Sequence, residues 1–337
     1  MNVYVDTLSG DAPAEEVIKG GLQAVKESNK STRITFLGDS EKNKEIYKRL
    51  EPSSNLPIEF LHSPQKISMD DSPVSAVRSY PDSSLVRGCE KASDENSLFF
   101  SPGNTGAVVA ASLLKLGRVD GVSRPGLAVV LPTLKDKKVI LLDVGATIDA
   151  TPENLVQYAV MGLVYAKHIL GSENPKVGLL NIGEERSKGN KLTKKADSLI
   201  CELDLSYVGN VEPHSLLENP TAEVVVCEGF VGNVLLKSFE GGAEGTIAFF
   251  KKAISQSIWA KLGGLLLRPA LTDLRNRLSF SRYGAAPLLG VKGTILVGHG
   301  RSDSRAIRNA ILNSTDLSDW NLPKAIKEAI DSYGIGR

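Results

Sequence analysis

Short apolar runs alternate along the chain with longer segments in which apolar residues recur at helical spacing. The apolar runs predict strands at residues 3–6, 33–38, 58–62, 97–101, 127–133, 138–145, 176–183, 205–212, 222–229 and 294–300. The longer segments predict helices at residues 14–27, 107–117, 153–170 and 234–258, from about residue 192, and after residue 300. This alternation favours an α/β fold of three layers, α/β/α, around a doubly wound and mainly parallel sheet. The LPTLKDKKV segment between two strands is compatible with a hairpin, which would make the sheet mixed.

One domain is expected to hold all of residues 1–337, with residues 240–282 inserted as an amphipathic helical hairpin. The length of 337 residues is sufficient for a large core, and the 42% of hydrophobic residues lies in the usual globular range. The formal net charge of +1 gives no general attraction to polyanions. No nucleic-acid partner is therefore expected.

The cysteines and the first residues of the chain favour a cytoplasmic location. Cys89, Cys201 and Cys227 show no CxxC spacing, so neither a disulfide framework nor a zinc site is predicted. The start MNVYVDTLSGDAP lacks the basic and apolar regions of a signal peptide, and no window is apolar enough to cross a bilayer. No cofactor and no metal site are predicted.

A glycine-rich turn at SPGNTGAVVA, residues 101–110, joins a predicted strand to a predicted helix. Free backbone N–H groups at such a helix start attract an anion, and Gly103 and Gly106 allow a close approach. Asn104 and Thr105 add side-chain donors. The alternative is a tight turn in which Asn104 or Thr105 only caps the helix.

Two further strand ends carry candidate catalytic side chains. Lys188 lies in NIGEERSKGNKLTKKA, after a predicted strand, where ligands of open α/β sheets collect and a lysine suits phosphate or an oxyanion. Gly232 and Asn233 begin a helix after another strand, and Asn233 can donate to a ligand or cap the helix. The alternative for Lys188 is a solvated loop.

Three other segments remain candidates for ligand contact. DVGATIDATPENL begins with Asp143 and ends in a helix-capping signal, and YGAAPLLGVKG has small residues suited to packing against a ligand chain. His299 and Asp303 follow a late strand, where His299 is a possible base or a hydrogen-bonded structural histidine. The chain has no GxSxG or HExxH motif, which favours direct attack by a bound nucleophile over a covalent acyl-enzyme.

The segment 246–282 predicts two amphipathic helices joined by an apolar tip at Leu265, Leu266 and Leu267. Seven basic residues, including Lys261 and Arg268, accompany a single acid in this segment. An apolar tip with basic flanks is typical of a surface that meets anionic lipid or an acidic carrier protein. The alternative is a helix pair that buries its apolar stripe in a dimer interface.

These segments, in this order, resemble the PlsX family of phosphate acyltransferases. FSPGNTGA is similar to the family's xSAGNTGA block, and LLDVGATIDATPENLVQYAVMGLVYA is similar to LDVGANxDxxPExLxQFAxMGxxYA. NPKVGLLNIGEERSKGNKLT, VVVCEGFVGNVLLKSFEG, YGAAPLLGVKG and HGRSDSRAIRNA complete a match that runs to about residue 312. The family usually opens VDAMGGDHAP, whereas this chain has VDTLSGDAPA, which lacks the histidine but keeps Asp6 and Asp11, and the resemblance implies that these two bind substrate. Pro102 and Thr147 stand where the family usually has alanine and asparagine.

The resemblance implies an acyltransferase that converts acyl-[acyl-carrier-protein] and inorganic phosphate to acyl-phosphate and free carrier protein for phospholipid synthesis. It implies a fold similar to isocitrate and isopropylmalate dehydrogenases and phosphotransacetylase, a homodimer, and Lys188 and Asn233 as the active-site pair. It also implies a peripheral contact with the membrane, where a glycerol-3-phosphate acyltransferase would take the product. The alternatives are a phosphotransacetylase-like enzyme acting on small acyl-CoA and a degenerate acyl-binding or regulatory protein.

Overall fold

The computed structural model describes residues 1–28, 31–52, 55–135, 137–278 and 284–335. Its strands are β1 (Asn2–Asp6), β2 (Arg33–Gly38), β3 (Ile58–His62), β4 (Ser97–Ser101), β5 (Gly126–Pro132), β6 (Lys138–Leu142), β7 (Val177–Leu180), β8 (Tyr207–Val211), β9 (Val224–Val226), β10 (Ala286–Leu289) and β11 (Thr294–Val297). Its helices are α1 (Ala14–Glu27), α2 (Ser40–Leu50), α3 (Pro73–Ser79), α4 (Ser84–Lys91), α5 (Thr105–Lys115), α6 (Pro152–Leu170), α7 (Lys191–Cys201), α8 (Pro213–Glu218), α9 (Gly229–Ser255), α10 (Ile258–Leu278), α11 (Ser304–Asp319) and α12 (Leu322–Ser332).

The described strands form one sheet in the order β3-β2-β1-β4-β11-β10-β5-β6-β9-β7-β8. Strands β1 to β4 and β11 are parallel to one another, and so are β6, β9, β7 and β8. Between these groups, β10 is antiparallel to both β11 and β5, and β5 is antiparallel to β6. The sheet is thus mixed, as the hairpin reading of residues 131–139 allowed, and its two parallel groups run in opposite directions.

Both faces of the sheet are covered by helices, which explains why the central strands are mostly apolar. Leu98 and Phe100 of β4 face a core shared with α1, α6, α11 and α12, whereas Phe99 faces a second core beneath α4, α5 and α9. Ile140 and Leu141 of β6 divide between the same two cores. The three-layer α/β/α prediction is confirmed.

The middle of the segment YGAAPLLGVKG forms a central strand of the sheet, so those residues pack within the protein and not against a ligand chain. Residues 286–289 form β10, which is buried in the centre between β11 and β5, and Pro287 pairs with Leu296. Tyr283 lies outside the described residues. The small residues of this segment therefore reflect its buried position in the sheet.

The helical hairpin is present, but its turn lies earlier than the sequence predicted. Helix α9 ends at Ser255, and Ser257 Oγ accepts a hydrogen bond of 3.0 Å from Ala260 N at the start of α10. Leu265, Leu266 and Leu267 are not a tip between helices, because α10 runs through them. Position 264 inside α10 favours glycine, because a Cβ atom there would lie only 2.5 Å from Ile254 Cγ2 of α9. Part of the predicted segment, residues 279–282, lies outside the described residues.

Within the described ranges, none of the helices combines the length and apolar character needed to cross a bilayer.

Candidate active site

Asp6 joins the loops that follow β1 and β4. Its buried carboxylate accepts hydrogen bonds from Leu8 N at 2.9 Å and Ser9 N at 3.2 Å. Ser101 Oγ donates to Asp6 Oδ2 at 2.8 Å and accepts from Gly103 N at 3.1 Å. Asp6 therefore holds the glycine-rich turn in place, and its carboxylate is occupied by donors of the protein itself.

The glycine-rich turn forms the start of α5, with Asn104 as its cap. Asn104 Oδ1 accepts from Ala107 N at 3.1 Å, and Asn104 Nδ2 donates to Met69 O at 2.8 Å. The Asn104 amide group also donates to Asp71 O at 3.3 Å, so its oxygen caps α5 while its two N–H bonds are engaged by residues 69 and 71. The N–H groups of Thr105 and Gly106 come first in the helix, and they have no acceptor among the described residues.

His299 and Asp303 lie in the loop after β11, next to β4 in the sheet. His299 is exposed, and its Nδ1 accepts from Arg301 N at 3.2 Å, which leaves Nε2 as the hydrogen-bearing nitrogen of a neutral ring. Asp303 Oδ1 accepts from Ala306 N at 2.8 Å at the start of α11. Asp303 is therefore a helix cap, and His299 is placed to donate a hydrogen bond from Nε2.

The altered N-terminal loop is packed against its neighbours. Asp11 N donates to Gly300 O at 2.8 Å, and the Asp11 side chain is exposed at the rim. A Cβ atom at Gly10 would lie 2.8 Å from Pro102 Cγ, so this glycine makes room for the proline that replaces the family's usual alanine. We call the group of Asp6, Asp11, residues 103–106 and His299 the turn cluster.

A second group of candidates lies after β6, β9 and β7, and Asp143 organises its first loop. The buried Asp143 carboxylate accepts four backbone N–H bonds of 2.7–3.0 Å, from Leu127, Gly145, Ala146 and Thr147. Burial raises the pKa of the Asp143 carboxyl above its ordinary value, while the N–H donors act in the opposite direction. Asp143 fixes the shape of this loop and is too enclosed to contact substrate.

Asn233 lies beside this loop, near the start of α9. Gly145 has a φ of 134°, and a Cβ atom there would come within 3.4 Å of Asn233 Nδ2. A side chain at Gly232 would overlap the carbonyl oxygen of Asp143, so the close approach requires glycine. The start of α9 is capped by the Glu228 side chain, which accepts from Val231 N at 2.9 Å, so Asn233 is not the cap.

Lys188 lies in the loop after β7, and the loop folds back onto the end of that strand. Asn181 directly follows β7, and its Nδ2 donates to Lys188 O at 3.4 Å. Gly189 has a φ of 95°, and a Cβ atom there would lie 2.6 Å from Asn181 Nδ2. Asn190 then caps α7 by accepting from Thr193 N at 2.9 Å. These contacts leave the Lys188 side chain exposed.

Lys188 and Asn233 are the polar side chains of this group that remain available. Across the described ranges, neither Lys188 Nζ nor the Asn233 amide has a hydrogen-bond partner. Strands β6, β9 and β7 are parallel neighbours, so their carboxyl ends present Asp143, Asn233 and Lys188 at the same edge of the sheet. We call Asp143, Lys188, Gly232 and Asn233 the lysine cluster.

The structure thus divides the predicted site residues into two clusters. The turn cluster follows β1, β4 and β11, and the lysine cluster follows strands of the opposite direction. Two cavities of about 640 and 400 Å³ in the described chain are lined by residues of neither cluster. Within the chain, no described contact joins the two clusters.

Sequence reasoning missed the residues that hold both clusters in shape. Ser101 bridges Asp6 to the glycine-rich turn, and Asn181, which also donates to Asn210 Oδ1 at 3.0 Å, supports the Lys188 loop. The sequence feature that could have identified Ser101 and Asn181 is a polar residue at the end of an apolar strand. At that position a side chain is buried with its strand and has to find a partner in the loop.

The buried cysteines are unsuited to covalent catalysis. Burial raises the pKa of the Cys89 thiol to about 12 and that of the Cys227 thiol well above its ordinary value. Cys227 Sγ donates to Asp143 O at 3.3 Å. Both thiols stay protonated at neutral pH, in agreement with direct attack by a bound nucleophile.

The predicted membrane or carrier contacts lie on the outside of the hairpin. Lys261 and Arg268 are exposed, and so are the apolar side chains that we call the hairpin surface: Phe249, Phe250, Trp259, Leu262, Leu265, Leu266 and Leu267. The exposed fraction reaches 81% for Trp259 and 83% for Leu266. Contiguous exposed apolar side chains usually mark an interaction surface.

The model of the fatty acid synthesis protein family matches residues 1–325. The chain belongs to this family. A phosphate acyltransferase from Brevibacillus brevis is 40% identical over 337 residues, covering 100% of this chain and 99% of the relative. One from Halothermothrix orenii is 40% identical over 338 residues, covering 99% of this chain and 100% of the relative. The predicted PlsX family, and with it the prediction of an enzyme, is confirmed.

Among solved structures, a phosphotransacetylase from Streptococcus pyogenes matches this chain with a TM-score of 0.59 and 14% sequence identity. The match covers 97% of this chain and 94% of the phosphotransacetylase chain. At this identity the likeness concerns the fold alone. It agrees with the predicted α/β architecture.

Proposed function

We propose that the protein transfers the acyl group of acyl-[acyl-carrier-protein] to inorganic phosphate, giving acyl-phosphate and free carrier protein for phospholipid synthesis. The observation that carries the proposal is the pair Lys188 and Asn233, an exposed lysine and a half-buried asparagine without hydrogen-bond partners within the described residues, at a sheet edge of a chain whose relatives are named phosphate acyltransferases. The fold neighbour named phosphotransacetylase is consistent with acyl transfer to phosphate.

In this reaction a phosphate oxygen attacks the thioester carbonyl carbon, so a C–O bond forms and the C–S bond breaks. The proton of hydrogen phosphate ends on the thiolate that leaves, which balances the step without another reactant. Lys188 and Asn233 are suited to stabilising the oxyanion, because donors aimed at developing charge are usually the largest catalytic contribution. The N–H groups of Thr105 and Gly106 are suited to holding the phosphate.

The test is a phosphate-dependent assay of the purified protein with long-chain acyl-carrier protein and with acetyl-CoA as donors. The N-terminal loop lacks the histidine that is usual in the family. We still expect acyl-phosphate from the carrier-protein thioester, because phosphate dianion needs no general base. Turnover of acetyl-CoA alone would favour the phosphotransacetylase-like alternative. A folded protein without phosphate-dependent turnover of either donor would favour a degenerate acyl-binding protein.

The phosphate site can be tested without disturbing the turn. Thr105 is the first residue of α5, where proline is well tolerated, and Asn104 has a ψ of 115°, outside the α region that a following proline disfavours. Thr105→Pro removes one N–H donor, and we expect turnover at fixed phosphate to fall by roughly 10²–10³-fold. Thr105→Ala keeps the N–H group and is the matched control. Equal phosphate dependence in both variants would place the phosphate elsewhere.

We further propose that the protein works as a homodimer at the membrane surface and passes its product to a membrane glycerol-3-phosphate acyltransferase. The hairpin surface is flanked by exposed Lys251, Lys252, Lys261 and Arg268, a combination that suits anionic lipid or an acidic carrier protein. Acyl-phosphate is hydrolytically labile, so its release close to the enzyme that consumes it would limit its loss to hydrolysis.

Replacing Leu266 with glutamate is expected to weaken binding to anionic vesicles at low salt without loss of turnover. Leu134→Glu is the matched control, since Leu134 is 77% exposed but lies outside the hairpin. Flotation of vesicles containing phosphatidylglycerol measures the bound fraction. Equal flotation of both variants and wild type would exclude this side chain as an anchor, and a changed oligomeric state would assign the hairpin surface to the dimer interface.

A further inference from the structure

We propose that the cavity of about 640 Å³ at the start of α6 binds the phosphate of the donor's phosphopantetheine arm through Arg118 and Arg124. This inference rests on the proposed function, because acyl-carrier-protein and acyl-CoA thioesters both hold the acyl group on this arm. The phosphate of the arm does not react, so its binding would place the thioester at Lys188 and Asn233. Interactions with such remote parts of a substrate are a usual means of positioning the reacting group.

The cavity lies between the end of α5, the loop before β5 and the start of α6. It is lined by Leu113 of α5, by Arg118 and Arg124 of the loop, and by Thr151 and Asn154 at α6. Its volume is in the usual range of small-molecule sites. Two guanidinium groups on its wall suit a ligand with a negatively charged end.

Both arginines can donate to an anion. Arg118 Nη1 donates to Ser123 O at 2.6 Å, which orients the guanidinium group and leaves its other N–H groups for a ligand. Arg124 is exposed and has no hydrogen-bond or ion-pair partner in the described part of the chain. Arginine is well suited to phosphate, because its planar group donates two parallel hydrogen bonds to one anion.

The acidic residues around the cavity have other partners. Asp120, in the same loop, accepts from Lys292 Nζ at 2.7 Å. Glu153 also lines the cavity, and hydrogen bonds from its own N–H group and from the Thr151 side chain lower the pKa of its carboxyl. The charge of Lys195 acts in the same direction. Within the described ranges, neither acid forms an ion pair with the two arginines, whose positive charge stays available.

A buried hydrogen-bond network fixes the loop that carries the arginines. Ser123 N and Oγ donate to Gln157 Oε1 at 2.9 and 2.7 Å, and Asn154 Nδ2 donates to Ser123 Oγ at 2.6 Å. Gln157 Nε2 donates to Gly121 O at 2.9 Å. Asn154 and Gln157 are buried in α6, so the loop is held in shape before any ligand binds. A preorganised site loses less conformational entropy on binding.

The cavity lies at the same edge of the sheet as the lysine cluster. β5 is antiparallel to β6, so its start, which follows Arg124 and Pro125, lies beside the end of β6. Thr147 Oγ1 donates to Pro125 O at 3.0 Å, which ties this start to the Asp143 loop. β5 lies three places from β7 in the sheet, which is roughly 14 Å at about 4.8 Å per place. An extended pantetheine arm is longer than this separation.

Inorganic phosphate bound in this cavity would be too far from the reacting carbon. An attacking phosphate oxygen has to lie about 3–3.5 Å from the thioester carbon. Asn233, one of the two proposed oxyanion donors, follows β9, which lies two places or roughly 10 Å from β5. A phosphate held by Arg118 and Arg124 is therefore a group that does not react, which fits the phosphate of the arm.

Arg124→Ala tests the site with two donors that differ in the phosphate alone, acyl-phosphopantetheine and acyl-pantetheine. We expect kcat/KM for the phosphorylated donor to fall about 10-fold, because a charged hydrogen bond is lost, and kcat/KM for acyl-pantetheine to stay unchanged. Lys138→Ala, at an exposed position at the opposite end of β6, is the matched control and should affect neither donor. Equal losses with both donors, or a rise in the KM of inorganic phosphate alone, would overturn the proposal.

Calorimetric titration of the full chain gives a readout that does not depend on turnover. Wild type should bind phosphopantetheine more tightly than pantetheine, and the double variant Arg118→Ala, Arg124→Ala should lose this preference. If wild type forms no acyl-phosphate from any donor, the proposed function fails, and the titration still decides the anion site. Equal affinity of wild type for the two compounds, or a preference that the double variant keeps, would contradict the assignment of the cavity.

Discussion

Replacing Lys188 with alanine is expected to lower turnover by roughly 10²–10³-fold, and Asn233→Ala by a similar factor, because each change removes one donor to the oxyanion. Both side chains are solvent-accessible and have no partner within the described ranges, so the fold should stay intact. Steady-state kinetics with acyl-carrier-protein thioester, alongside circular dichroism, measures both properties.

The matched control for Lys188→Ala is Lys191→Ala, an exposed lysine at the start of α7 in the same basic segment. A similar loss in both variants would indicate that the segment attracts an acidic carrier protein by general charge. Near-wild-type turnover of Lys188→Ala and Asn233→Ala would contradict the catalytic assignment.

Asp143→Ala is expected to lower the free energy of unfolding by at least about 3 kcal/mol, since an unsatisfied buried donor costs about 1–3 kcal/mol and four N–H groups lose their acceptor. The loop after β6 would lose its shape, and with it the support for Asn233. Urea unfolding followed by circular dichroism measures the change. Asp149→Ala, at an exposed position in the same loop, is the control and should unfold like wild type. Equal stability of Asp143→Ala and Asp149→Ala would show that water replaces the carboxylate.

Most strands could be predicted because burial on both faces makes them continuously apolar, as in SLFFS of β4. Strand β10 was missed because proline and alanine are poor strand formers, and Pro287 is unusual in the centre of a sheet. The hairpin turn was misplaced because Gly263, Gly264 and Pro269 are typical of helix ends, whereas the close contact of α9 with α10 favours glycine inside a helix.

The candidate site could be predicted as a set of loops after strands, but not as two clusters. Ligands collect at the carboxyl ends of parallel strands, which is why Lys188 and the glycine-rich turn were both identified. Their separation depends on the antiparallel pairs of β10 with β11 and β5 and of β5 with β6. Pairing direction comes from tertiary contacts of segments far apart in the chain, and local periodicity does not encode it.

The central place of β10 and β11 also determines when the sheet can be completed during protein synthesis. β4 and β5 are made one after the other, yet the strands that join them in the sheet follow roughly 160–200 residues later. Until β10 and β11 emerge from the ribosome, β4 and β5 each keep a row of unpaired N–H and C=O groups, which is a template for aggregation. Nascent chains that stop before residue 284 should therefore depend on chaperones more than the finished protein does.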